Sequence, residues 1–399
     1  DGAPDLFVVP GGVEGDPTDP SLRDRLYLND GTGHFAPAPA GVLPDLRDSG
    51  STAVAADFDR DGDLDLFIGG RSIPGQYPLT PQSRLLRNDA GRFTDVTDAT
   101  APGLSAAGLV TGALWSDTDG DGWSDLLVCC DWGPVRLFHN QQGQLVERTR
   151  DAGLADHLGW WNGIAAGDLD HDGDLDFVVA NLGRNSRYQP TRDEPCHLFY
   201  GEFAGSGSPQ IIEAWVSSGI LLPLRGKSAL QNAVPSLSER VQTFHAYATS
   251  TLTNLLGDSA LRTALRFTAT TADSSVLLNL GDGRFEVRPL PRLAQMAPCF
   301  GTLLTDVDAD TRLDLVLVQN FSGPQRETGR MNGGVGLVLL GAGDGTFNPL
   351  WPNQSGFVVA ADARSLVTLD VNGDGSPDFV TGVHDGDLEV FENTCKQHR

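Results

Sequence analysis

The sequence predicts an all-β fold: a seven-bladed β-propeller with a helical insertion in the fifth blade region. Three observations predict it. An aspartate-rich loop recurs along the chain, each copy runs directly into an apolar strand, and a glycine-bearing hairpin follows further on. One unit therefore reads strand, loop, strand, hairpin, strand. A repeat that is one small sheet cannot bury its faces alone, and radial stacking of such sheets supplies the missing contacts.

The loop comes first, because it carries the chemistry. In "DFDRDGDLDLFIGG", Asp57, Asp59, Asp61 and Asp65 stand at positions 1, 3, 5 and 9, with Gly62 at position 6. So many carboxylates repel one another unless a cation neutralises them. The order is that of a short loop wrapping a hard cation: alternate carboxylates point inward, glycine permits the tight turn, and the backbone carbonyl of Asp63 serves at position 7. Calcium takes six to eight oxygens in irregular geometry, whereas magnesium demands a strict octahedron. A helix-loop-helix calcium site needs glutamate at position 12. Here that position is Ile68, so the loop leads into a strand.

Four more copies follow. "DTDGDGWSD" supplies Asp117, Asp119, Asp121 and Asp125, with the carbonyl of Trp123 at position 7. "DLDHDGDLD" supplies Asp168, Asp170, Asp172 and Asp176, with Asp174 at position 7. "DVDADTRLD" supplies Asp306, Asp308, Asp310 and Asp314, with Arg312 at position 7 and Thr311 where glycine belongs. "DVNGDGSPD" supplies Asp370, Asn372, Asp374 and Asp378, with Ser376 at position 7. The opening "DGAPDLFVVP" reads as the second half of another loop, with Asp1, Gly2 and Asp5 at positions 5, 6 and 9, so the expectation is a natural chain that begins upstream.

Spacing sets the architecture. The loops begin at 57, 117, 168, 306 and 370, and the 168-to-306 interval is about twice the others. "EFAGSGSPQI", Glu202 to Ile211, falls in that gap. It keeps the turn residues, but Ala204 and Gln210 replace needed carboxylates, which reads as a loop without its metal. Counting the truncated first loop, seven units take up residues 1–399 as one domain, the N-terminal blade truncated or closed by the C-terminal strands. Over 222–267 the glycine turns stop. "SLSERVQTFHAYAT" offers a capping box, Ser236 with Glu239, before Val241, Phe244 and Ala248, and "GDSALRTAL" offers a second helix with an Asp258–Arg262 pair. Both are expected as a helical insertion on one propeller face.

Composition narrows function. The formal net charge is −25, and the five fuller loops hold 21 of the 53 acidic residues. Nucleic acid is excluded as a partner, because phosphate binding requires clustered Lys and Arg. No run of 18 apolar residues is present, so no membrane span is expected. Lysine occurs only at Lys227 and Lys396 beside plentiful arginine, which points to a GC-rich, bacterial genome. The five cysteines, at 129, 130, 196, 299 and 395, cannot all pair internally. They read as small buried hydrophobes, with Cys196–Cys299 or Cys196–Cys395 the alternatives for a disulfide. Loops without a position-12 glutamate hold calcium near 10⁻⁴–10⁻³ M, roughly, which places the protein in the periplasm, on the cell surface or outside.

The "DxDxDGxxDL" loop followed by an "NxGxGxF" turn resembles the FG-GAP/VCBS repeat of integrin α-subunit propellers and of many bacterial secreted proteins. The tract "GWWNGIAAGDLDHDGDLDFVVANLGRNSRY" looks like bacterial VCBS-repeat proteins related to cartilage acidic protein. The resemblance covers nearly the whole chain apart from the helical insertion. It implies a seven-bladed propeller with calcium, four to five ions, on the loop residues named above. It implies no single activity.

No HExxH, GxSxG or P-loop is present, so no catalytic residue is assigned and the chain is expected not to be an enzyme. The favoured function is a calcium-stabilised, non-catalytic scaffold for protein interaction or adhesion. A lectin-like carbohydrate-binding propeller and a polysaccharide lyase or hydrolase are the alternatives. The ligand expected on the propeller face is a protein or a glycan. Two features bear on it: the pair Trp160–Trp161, as inter-blade packing or a stacking platform, and "NLGRNSRYQP" with Arg184, Asn185, Arg187 and Tyr188, as a recognition loop.

Overall fold

The apolar run after each of the first four fuller loops becomes a strand covered on both faces, while Asp378–Val383 after the fifth is only partly buried. In Asp65–Ser72, Leu66, Phe67 and Ile68 are all buried. Asp125–Gly133 and Asp314–Gln319 behave alike, which explains why they read as continuous apolar segments rather than as alternations. The computed structural model describes residues 2–13, 15–325 and 327–395. Among them seven antiparallel sheets form, each of three to five strands.

Six sheets succeed one another along the chain. The first contains Leu6–Val8, Arg25–Asn29 and Phe35–Pro37; the second Ser49–Ala56, Asp65–Ser72, Arg84–Asp89 and Arg92–Asp95. The third runs from Leu109–Ser116 through Asp125–Gly133, Arg136–Asn140 and Leu145–Glu147, with Gly159–Trp160 added. The fourth joins Gly163–Gly167 and Asp176–Ala180 to Ser275–Asn279 and Phe285–Pro289. The next begins at Cys299–Thr305 and the last at Ala363–Leu369. Side chains alternate across each central strand, so each sheet has an apolar layer for both neighbours. Leu126 and Val128 share a cluster with Phe67 and Leu85 of the second sheet, whereas Leu127 and Cys129 join Phe177 and Val179 of the fourth. Val178 and Val276 pack with Leu315 and Leu317, and Val316 and Val338 with Leu366 and Phe379.

The seventh sheet is nested. Asp176–Ala180 pairs directly with Ser275–Asn279, although residues 181–274 lie between them. That segment builds its own sheet, ordered Ile220–Pro223, Gln210–Ser217, Cys196–Gly201 and Leu265–Ala269. Short helices Lys227–Ala233, Leu237–Arg240, Phe244–Ala248, Leu252–Leu256 and Asp258–Thr263 cover one side through Leu230, Leu237 and Leu252. Through Leu182, Leu198 and Leu224 the insertion also packs on Trp132, Trp160 and Met331. The unit carrying Glu202–Ile211 is thus not a radial neighbour of the rest, since the sheets before and after it share one apolar cluster.

Two local expectations change. Ser236 makes no side-chain cap bond, and the helix it precedes stops at Arg240. A separate helix starts after Thr243, whose hydroxyl accepts from the Ala246 amide at 3.0 Å. A threonine cap inside the run thus divides it. The Asp258–Arg262 ion pair forms as its spacing requires. All five cysteines are free. Cys196 and Cys299 lie in separate clusters, and burial pushes the Cys299 thiol up to about 12.

Candidate functional site

Each aspartate loop is a tight turn between two paired strands. Positions 4 and 6 both adopt left-handed backbone: Arg60 and Gly62, Gly120 and Gly122, His171 and Gly173, Ala309 and Thr311, Gly373 and Gly375. These conformations aim the amides inward, where the first aspartate collects them. Asp57 accepts from the amides of Asp61 and Gly62, both at 3.1 Å. Asp117 accepts from Gly120 and Gly122 at 2.9 and 2.7 Å, and Asp370 from Gly373 and Gly375 at 2.7 and 3.0 Å. Thr311 holds φ +75°, where a β-branched residue is strained. Thr311→Gly is therefore expected to raise stability by about 1 kcal/mol, read as a higher urea midpoint.

Position 9 has a different duty. Asp65, Asp125, Asp176, Asp314 and Asp378 are almost wholly buried. In Asp176 one oxygen accepts from the Leu169 amide and the other from the Asn279 amide, both at 2.9 Å. Asp125 bridges Thr118 and Asn140 at 3.1 and 2.7 Å, and Asp378 bridges Val371 and Asn393 at 2.9 and 2.7 Å. The hairpin asparagine then reaches the preceding sheet. Asn140 donates to the Phe58 carbonyl at 2.8 Å, Asn279 to Thr118 at 3.0 Å and Asn393 to Val307 at 2.9 Å. The loops at 57, 117 and 306 are thereby each joined to the hairpin of the next sheet. For Asn140 and Asn279 the asparagine that opens the hairpin turn is the signal for these clamps, whereas Asn393 lies in "FENTCK", outside that motif.

Four loops gather ligand oxygens within 4.8 Å of one another: Asp57, Asp59 and Asp61; Asp117, Asp119 and Asp121; Asp168, Asp170 and Asp176; Asp306, Asp308 and Asp314. Two of these oxygens, Asp168 Oδ1 and Asp308 Oδ1, are buried without a hydrogen-bond partner among the described residues. A buried carboxylate oxygen left so is costly unless a cation meets it. The donors are all hard oxygens, so the set fits calcium. In the fifth loop, Asn372 stands in the third position and accepts from the Asp374 amide at 2.9 Å. Asp63 turns its carboxylate to the Ala90 amide at 2.8 Å, which leaves its carbonyl as the position-7 donor. Arg60 lies over the Trp123 ring, 4.2 Å from its centroid. Arg312 turns back on Asp310, with Nε to Oδ2 at 2.8 Å, and holds that carboxyl low; a cation there competes with the protein's own guanidinium. His139, not among the expected ligands, places Nδ1 3.0 Å from Asp125 Oδ1 and 3.5 Å from Asp119.

At Glu202–Ile211 the turn persists. Glu202 accepts from the Ser206 and Gly207 amides at 3.2 and 3.0 Å, and Gln210 accepts from Phe203 at 2.8 Å. Ala204 and Ser206 supply no carboxylate at positions 3 and 5. At the N-terminus Asp5 accepts from the Asn29 amide at 2.8 Å, whereas Asp1 lies outside the described residues.

Burial and neighbouring carboxylates raise the affinity of the loops for protons. Desolvation pushes Asp65 and Asp176 up to about 6, and raises Asp59, Asp170 and Asp308, each helped by the next carboxylate along. The sign follows from linkage. With folded values above the unfolded ones, the metal-free chain is steadied by these groups below about pH 4 and loses that contribution as pH rises through about 6. Calcium needs the ionised form, so its stabilising increment runs the other way. Urea midpoints with and without calcium are expected to differ more at pH 7 than at pH 5.

The FG-GAP-like repeat family model matches residues 1–68, 117–179 and 306–381, together just over half of the chain. The chain belongs to the FG-GAP-like repeat family. Its loops and paired sheets are those of an FG-GAP propeller. No curated protein sequence matches it. Among solved structures, BBS1N in complex with ARL6DN is similar at 12% identity and a TM-score of 0.34, over 96% of this chain and 90% of that one. The V. cholerae biofilm matrix protein Bap1 is similar at 11% identity and a TM-score of 0.30, over 98% and 88%. At such TM-scores neither neighbour says how this FG-GAP chain works.

The Trp160–Trp161 pair divides between its two readings. Trp161 is 1% exposed within the layer between the third and fourth sheets. Trp160 points the other way and borders a cavity beneath the inserted sheet. In the 181–190 loop, Arg184 pairs with Asp273, and Tyr188 donates to Glu213 at 2.6 Å beside the same cavity. Among the described residues no helix is long and apolar enough to cross a membrane.

Proposed function

We propose that this FG-GAP protein is a calcium-stabilised, non-catalytic interaction scaffold that works where calcium is millimolar: outside the cell, on its surface or in the periplasm. The observation that carries the reading is the packing of hard oxygens in the loops, including two buried carboxylate oxygens with no partner among the described residues. The ion would sit where strand, hairpin and neighbouring sheet already meet. Its binding energy would then act as folding energy. The loop carboxylates would hold it, and Asn140, Asn279 and Asn393 would pass that rigidity to the adjacent sheet. No reacting constellation is assigned to the loops, whose carboxylates are engaged by backbone amides. Calorimetric titration of calcium into the metal-free chain tests this. The expected result is four to five sites with dissociation constants of roughly 10⁻⁴–10⁻³ M. Sub-micromolar affinity would contradict the compartment, and absence of heat would contradict the metal.

A further inference from the structure

A cavity of about 530 Å³ lies between the inserted sheet and the rest of the molecule. That is within the size range of small-molecule sites, roughly 300–1,000 Å³. Its walls come from the ends of strands that begin at aspartate loops: Arg71 closes Asp65–Ser72, and Asp131 and Trp132 close Asp125–Gly133. The cavity therefore opens at the strand ends away from the loops. Glu213 and Arg225 of the insertion complete it.

Aromatic rings form one side. Trp132 and Trp160 stand edge to face with centroids 4.8 Å apart, and Tyr188 follows Trp160 at 5.2 Å. Trp132 Nε1 donates to the Tyr77 hydroxyl at 3.0 Å, which fixes the indole. Arg364 and Phe300 also line it, with the guanidinium 3.9 Å over the ring.

The polar groups come in balanced pairs. Arg71 meets Asp131 at 3.0 Å, Arg225 meets Glu213, and Arg364 meets Asp362 at 2.8 Å. Each guanidinium brings its own carboxylate, so a charged ligand would enter without compensation. A wholly apolar ligand would waste the remaining donor: Arg71 Nη1 is buried and has no hydrogen-bond partner among the described residues. Hydroxyl groups donate and accept together, so they can meet a guanidinium and a carboxylate at once. A ring that carries them also offers a C–H face to indole and phenol.

We propose that this cavity binds a neutral saccharide, with its ring against Trp160 and Trp132 and its hydroxyls on the Arg71–Asp131 pair. The site is one per molecule, because it needs the single inserted sheet. It goes beyond the calcium scaffold and is independent of it.

The test uses the full chain in excess calcium against an array of neutral and uronate oligosaccharides, with tryptophan fluorescence as the titration readout. At least one neutral oligosaccharide is expected to bind saturably and quench the indoles. Arg71→Lys keeps the ion pair but removes the second guanidinium nitrogen. It is expected to weaken binding about tenfold with an unchanged melting temperature. Trp160→Ala is expected to abolish binding; if it fails to fold, Arg71→Lys decides. Three results overturn the proposal: no neutral oligosaccharide bound at millimolar concentration, binding to uronates only, or binding that Arg71→Lys leaves untouched. A failed calcium titration leaves this isotherm readable, so the two readings fall separately.

Discussion

Asp176→Ala is expected to lower the stability of the metal-free chain by on the order of 4 kcal/mol. The carboxylate is fully buried, and its two oxygens serve the amides of Leu169 and Asn279. Alanine would leave both N–H groups dry, at about 1–3 kcal/mol each. Those amides belong to the loop and to the hairpin that follows it across residues 181–274, so the loss falls where the insertion returns to its parent sheet. Asp174→Ala is the control. Position 7 offers only its carbonyl to an ion, and this half-buried side chain accepts none of the paired amides that Asp176 does, so the change is expected to matter by less than about 1 kcal/mol. Urea midpoints of both variants without metal check the contrast. Equal midpoints would mean that position 9 does not join loop to hairpin.

Calcium depletion is expected to have a larger effect still. A site with a dissociation constant of about 0.1 mM contributes about 1.4 kcal/mol at 1 mM calcium, and five such sites together about 7 kcal/mol. For a chain of this length the melting temperature should fall by on the order of ten degrees when a chelator is added. Asp170→Ala should remove one increment, about 1.4 kcal/mol, and leave the rest. Asp310→Ala should remove less, because Arg312 already engages that carboxylate. Differential scanning calorimetry at 1 mM calcium, with and without chelator, measures both.

Much of this was legible in the residues, and the reasons are specific. A loop with carboxylates at alternate positions and glycine at position 6 has few other uses, so Asp57 to Asp65 announces itself. The strand after it is legible because Leu66, Phe67 and Ile68 are buried on both faces and leave no alternation to misread. The left-handed turn at position 4 was not legible. Arg60, His171 and Ala309 adopt it beside Gly120 and Gly373, so no single residue type marks it. The nesting was hidden for another reason. Glu202 and Gln210 reproduce the hydrogen bonds of a metal loop, and only the pairing partner of Ser275–Asn279 shows which sheet that segment interrupts. The tryptophan pair offers a choice between packing and recognition. At the end of Gly159–Trp160 the two neighbouring side chains join different apolar layers, so Trp161 packs between sheets and Trp160 lines the cavity.

If the aspartate loops cage a divalent cation, each ion sits where its own sheet meets the neighbouring one. Diffraction from crystals grown in calcium tests it most directly. Ion density is expected in each of the five loops, with oxygens of positions 1, 3, 5 and 9 and the position-7 carbonyl at about 2.3–2.6 Å. Loops of unchanged backbone filled by water alone, at millimolar calcium, would contradict it.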